Sequence, residues 1–153
     1  MQQQSTLRSL QILHSAMLAG QLIFAGIAVF LKYNNIFPSS LVGNDNLLQV
    51  TALAVSFGGF FIGSSIFKRK IAEARDIATS MKEKAGVFRS ASIIQWALLE
   101  APVLVCIIFF LLVGNYAFIA LAAALVLWFF LARPSKMKTM LLLRLSEEEM
   151  ERF

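Results

Sequence analysis

Residues 91–113 read ASIIQWALLEAPVLVCIIFFLLV. One side chain in this run, Glu100, carries a charge. As a helix the run is about 34 Å long, enough to cross the roughly 30 Å hydrocarbon layer of a bilayer. Nothing in it alternates like a strand, and inside lipid every backbone N–H and C=O must be paired internally, which a helix does by itself. This stretch therefore sets the class of the fold, and the rest of the chain can be read outward from it.

Three further apolar stretches have comparable length, at about 10–31, 47–67 and 116–132. Together they predict an all-α membrane protein with four transmembrane helices in an antiparallel bundle. Composition agrees. Of the 153 residues 58% are apolar and 15% charged, against about 25% charged in an ordinary soluble domain. The mean hydropathy is +0.72. One short domain cannot bury that much apolar surface in a core of its own. The first stretch exceeds the 7–15 residues of a signal-peptide core, so it reads as an uncleaved helix.

The counts also narrow the chemistry. Cys106 and His14 are the single cysteine and single histidine. They cannot supply the roughly four ligands of a zinc site, an internal disulfide or a CxxC redox pair. No phosphate-cradling glycine loop and no HExxH helix occurs. We expect no catalytic residues, no metal site and no cofactor. The net charge of +5 does not point to nucleic acid, because the cations sit in short segments between apolar runs, as juxtamembrane basic loops do.

Thirteen of the fourteen Lys and Arg residues fall on one predicted side: Arg8, seven between residues 68 and 90, and five between 133 and 153. Lys32 stands alone on the other. The positive-inside rule then places both termini in the cytoplasm of a bacterial-type inner membrane. The outer loop, Tyr33 to Asn46, carries the turn residues Asn34-Asn35, Pro38-Ser39-Ser40 and Gly43-Asn44-Asp45. Gly114-Asn115 is so short a link that the third and fourth helices must be antiparallel neighbours. Residues 68–90 read as a basic cytoplasmic loop in which Ile71 to Lys84 prolongs the second helix and Gly86 ends it. In the tail, 133–153, Pro134-Ser135 stops the fourth helix. Ser146-Glu147-Glu148-Glu149 is a capping box opening a short last helix. Met137, Met140, Leu141 and Leu145 are expected to line one amphipathic face, packed on the loop or the lipid headgroups, with partner docking as the alternative.

Glu100 is the single acid in the four spans. It lies about 14 Å from Ala91, near the midplane. An ionised side chain there costs on the order of 3 kcal/mol, so such a group faces the bundle. Counting inward from the same end of each helix brings Gln21, Ser56, Gly59 and the alanines 122–124 to its level. Ala52, Ser56, Gly59 and Gly63 share a face of the second helix, and Gly59-x-x-x-Gly63 is the small-xxx-small pattern of close helix contacts. Pro102 has no N–H, so the carbonyl of Leu98 loses its helical partner. His14 shares a face with Gln21 seven residues on, nearer the cytoplasmic end. Glu100, Gln21, Ser56 and His14 are thus the candidate proton or ion site. In the other reading a neutral Glu100 bonds Gln21 or Ser56 and fixes the bundle. Ala52, Gly59, Gly63 and Pro102 are the candidate packing residues.

The run Ile93 to Pro102, with Ala97-Leu98-Leu99-Glu100-Ala101, resembles the carboxylate helix of the proteolipid (c or K) subunit of rotary proton ATPases. The resemblance extends over about residues 47–113. It implies an ion-binding role for Glu100 and a close-packing role for Gly59 and Gly63. The family's glycine-rich repeat is absent, its short polar loop is replaced by a longer charged one, and two helices flank the hairpin. We do not read the chain as a rotor subunit. The expectation is a small non-catalytic integral membrane protein that works with other membrane subunits or as a homo-oligomer. The alternative is a proton- or cation-coupled transport component.

Overall fold

A computed structural model describes residues 4–39, 45–76 and 80–151. Ser40, Gly43-Asn44 and Arg152, which entered the turn and charge readings, lie outside the described residues. Six helices follow one another: α1 (Gln4–Tyr33), α2 (Asp45–Asp76), α3 (Met81–Val113), α4 (Ala117–Leu131), α5 (Lys136–Leu143) and α6 (Glu147–Glu151). Three of them, α1, α2 and α3, are long and apolar enough to cross a membrane. A fourth crossing arises if α4 and α5, bent by 75° at their junction, act as one span. Alone, the 15 residues of α4 reach only about 22 Å.

The expected loop at 68–90 is largely helix. With 32 and 33 residues, α2 and α3 are each close to 50 Å long and outrun a hydrocarbon layer. α2 runs to Asp76, and α3 begins at Met81. Gly86 does not end a helix. It lies inside α3, on an exposed surface where an added Cβ would touch nothing within 4 Å. The start of α3 is fixed upstream, where Ser80 N–H donates to Glu83 Oε2 at 3.3 Å in a Ser-x-x-Glu capping box. The same pattern at Ser146 forms as expected. Ser146 N–H reaches Glu149 Oε2 at 2.9 Å, and Glu149 N–H reaches Ser146 Oγ at 3.2 Å.

Helix ends elsewhere follow their residues. Asn35, at φ 54°, ends α1, and Ile36 N–H bonds back to Leu31 O at 3.0 Å. Gly114 ends α3 at φ 82°, a left-handed conformation that glycine adopts without a Cβ clash. Lys32 lies beside Gly114, donating to Ser39 Oγ at 3.0 Å. Its charge faces the unpaired carbonyls at the C-terminus of α3, where a cation is favoured. Pro134 breaks the chain after α4. Ser135 then caps α5, accepting from Lys138 N–H at 3.3 Å.

Helix α3 is the hub: it packs on α1, α2 and α4, whereas α1 and α2 barely meet. Its buried side, which includes Trp96, Leu99, Pro102, Val103, Cys106, Ile107 and Phe110, is covered by these three neighbours. Its opposite side, with Ala97, Ala101 and Ile108, is open. Two apolar clusters stack along the bundle. At the basic end, α5 and the projecting part of the α2–α3 hairpin join Leu10, Trp96 and Phe129. At the other end Val103, Cys106, Ile107 and Phe110 meet Ala28, Ala52, Phe118 and Ala122. The expected single apolar face of α5 is divided. Met140 is half-buried and Leu145 buried in the basic-end cluster, while Met137 and Leu141 point outward. The 75° bend turns one side of so short a helix inward and leaves the other side outside.

The tightest helix contact is at Gly59. A Cβ there would collide with the carbonyl oxygen of Leu98 and lie 2.9 Å from Pro102 Cγ. At Gly63 the nearest atom, Leu98 Cβ, would be 3.3 Å away, and at Gly58 nothing lies within 4 Å. Gly59→Ala should therefore force α2 off α3 and destabilise the protein by about 2 kcal/mol, the usual scale of overpacking. Thermal unfolding in detergent should show Gly63→Ala only slightly affected and Gly58→Ala unchanged. Equal melting of all three would mean that the contact does not control the fold.

Candidate functional site

Glu100 is half-buried at the edge of the open side of α3, toward α1. One turn before it Trp96 is buried, and the flanking Ala97 and Ala101 are exposed. The carboxyl thus sits at the border between packed and open surface. It also lies in the seam between the two apolar clusters, because Leu99 belongs to one and Val103 to the other.

Gln21 of α1 is fully buried beside this carboxyl. Its amide lies within hydrogen-bonding reach of that carboxyl, although no contact of standard geometry closes. A poorly satisfied buried amide costs up to about 1–3 kcal/mol, and buried polar groups are normally satisfied. The fold thus sets an amide short of well-formed hydrogen bonds next to a carboxyl with one side open.

Two other predicted members of the site go elsewhere. Ser56 is buried, but its hydroxyl donates to Ala52 O in its own helix at 2.6 Å. It lies against Cys106, more than a turn of α3 beyond Glu100. The depth count ran inward from each helix's own end and took those ends as level. Ala122 and Ala123 line a groove with Val103 and Ile107.

His14 is buried against two rings. It stacks on Phe129 at 4.5 Å between centroids and meets Trp96 edge-on at 5.0 Å. Its Nε2 donates to the Phe129 carbonyl at 2.9 Å. That carbonyl is in the last turn of α4, where it also accepts from Ala132 N–H at 3.0 Å. Gln11 Nε2 likewise donates to Pro134 O at 3.1 Å. These two residues of α1 therefore tie down the end of α4 and the corner after it. His14 serves this joint rather than an open path to Glu100.

Ala52 is buried, Gly59 and Gly63 meet Leu98 and Gln95 of α3, and Pro102 faces Gly59. Several contacts were missed at the sequence level. Arg75 Nε donates to Leu142 O, which brings a cation to the C-terminus of α5 and ties the hairpin to it. Asn115 Nδ2 reaches Asp45 Oδ2 at 3.3 Å, joining the α3–α4 turn to the start of α2. The Ser80-x-x-Glu83 box was legible by the same rule that found Ser146-x-x-Glu149. The Arg75 and Asn115 contacts join segments 67 and 70 residues apart and have no local signature. Among the described residues no group of three His, Cys, Asp or Glu side chains is placed to hold a metal ion.

Because no hydrogen bond of standard geometry satisfies the buried Gln21 amide, Gln21→Leu should raise the melting temperature of the detergent-solubilised protein. Removing the desolvation cost stabilises by about 1 kcal/mol or more. A fall of several degrees would show that the amide is bonded in the folded protein.

No known family model, curated protein or solved structure matches this chain.

Proposed function

We propose that this protein is a small integral membrane subunit without catalytic activity, which joins a larger membrane assembly through the open face of α3. The observation that carries the reading is the half-buried Glu100 at the edge of that face, with the buried Gln21 amide behind it. Facing lipid, such a pair is costly. Facing another transmembrane helix, from a different subunit or a second copy, it gains hydrogen-bond partners. Ala97 and Ala101 flank it at the four-residue spacing that allows backbones to approach closely.

The second reading is a proton- or cation-coupled transport component that works by reversible protonation of Glu100. The Gln21 amide next to the carboxyl favours it, as does the resemblance of Ile93–Pro102 to the proteolipid helix. One pair of variants separates the two. Under the assembly reading, Glu100→Gln still hydrogen-bonds and should leave copurification in mild detergent nearly intact. Glu100→Leu should weaken it at least tenfold, for a loss of about 1.4 kcal/mol. Under the transport reading, Glu100→Gln should instead abolish carbodiimide labelling and ion coupling while the protein stays folded. If both variants copurify the same partners as the unaltered protein, Glu100 is not the contact.

The orientation belongs to the same proposal. We place the basic end on the cytoplasmic side of a bacterial-type inner membrane, with α4 and α5 completing a fourth crossing and both termini inside. Thirteen of fourteen Lys and Arg residues support this through the positive-inside rule. A periplasm-active reporter fused after Phe153 should be inactive, and activity there would reverse the orientation.

A further inference from the structure

At the basic end, α2, α3, α4 and α5 enclose a groove of about 510 Å³, separate from the Glu100 face. Phe67, Trp128, Leu131 and Leu141 make most of its wall apolar, and Gln95 and Lys138 add the polar groups. The groove lies where α4 ends and α5 turns aside by 75°, a level at which a bilayer changes from hydrocarbon to headgroup. Lys138 donates one hydrogen to Leu131 O at 2.6 Å, which holds the amine at the groove with two hydrogens free. The Gln95 side chain is half-buried and makes no hydrogen bond among the described residues. Arg133 and Lys136 stand at the same corner. Among the described residues no carboxylate lies within ion-pair distance of Arg133, Lys136 or Lys138.

We propose that this groove seats one anionic phospholipid. Its acyl chain lies along Phe67, Trp128 and Leu141. Its phosphate meets the Lys138 ammonium and the Gln95 amide. An apolar slot ending in an uncompensated cation and an unbonded amide matches an anionic amphiphile at both ends. A zwitterionic lipid fills the slot but brings its own cation to Lys138. Basic pockets between membrane helices select anionic headgroups on these grounds.

Trp128 reports on the seat directly. It is 47% exposed, whereas Trp96 is 1% exposed, so a quencher carried on a lipid chain reaches Trp128 first. The full chain would be reconstituted in phosphatidylcholine vesicles containing either brominated phosphatidylglycerol or brominated phosphatidylcholine at equal mole fraction. The anionic lipid should quench at roughly fivefold lower mole fraction, the worth of one well-placed cation near the surface. Lys138→Gln should remove this preference, and Lys136→Gln, outside the groove, should keep it. Inorganic phosphate at millimolar concentration should not relieve the quenching. The proposal is overturned by equal quenching from the two lipids. It is also overturned if Lys136→Gln acts as strongly as Lys138→Gln, because bulk surface charge then explains the effect. Relief by inorganic phosphate would overturn it too, since an anion without a chain would then suffice.

Discussion

The fold turns on the approach of α2 to α3 at Gly59. Pro102 cannot donate to the carbonyl of Leu98, which leaves an acceptor without a helical partner near the middle of an apolar helix. Gly59 brings bare backbone against that oxygen. A glycine Cα–H aimed at a carbonyl is worth about 0.5–1 kcal/mol, and in lipid no water competes for the acceptor. The contact therefore answers the defect that proline creates. It also fixes the depth and rotation of α3, and α3 is the helix on which α1, α2 and α4 all pack. A side chain at residue 59 would displace the hub and everything placed against it.

Once α3 is set, its polar positions divide by what surrounds them. Toward the basic end, His14 meets Trp96 and Phe129 and donates a further hydrogen to the Phe129 carbonyl in the last turn of α4. Toward the other end Ser56 returns its hydroxyl to Ala52. Both lie within apolar clusters and are satisfied there. Glu100 and Gln21 lie in the seam between the clusters, where α1 and α2 diverge and no third helix covers α3. The seam is thus a consequence of topology. The three neighbours of α3 cover one side, and the polar pair stands at the edge of that cover.

Much of this was legible in the sequence because membrane helices announce themselves by length and hydropathy. The stretches at 10–31, 47–67 and 91–113 lie within α1, α2 and α3, and the Gly114-Asn115 turn and Ser146 box occur where the residues demand them. The packing role of Gly59 followed from spacing, and the free Leu98 carbonyl from a rule about proline. What failed were inferences about which helix levels face one another. Counting residues from helix ends takes those ends as level, and it put Ser56 and the α4 alanines beside Glu100. They lie instead against Cys106 and Val103. Gly86 was misread because glycine is compatible with both a helix end and an exposed helix interior. The Ser80-x-x-Glu83 box, six residues upstream, carried the stronger signal.

The two ends of the molecule present different chemistry to their surroundings. At the basic end, polar groups tie one segment to another: Gln11 to Pro134, His14 to Phe129, Arg75 to Leu142. Each of these pairs a side-chain donor with a carbonyl in the last turn of a helix or at the break after it. At Gln21 a leucine would fill the same space without the desolvation cost. What stands nearest the amide is the Glu100 carboxyl, half-open at the edge of the face that carries Ala97 and Ala101, so the polar pair and the bare surface of α3 meet at one place.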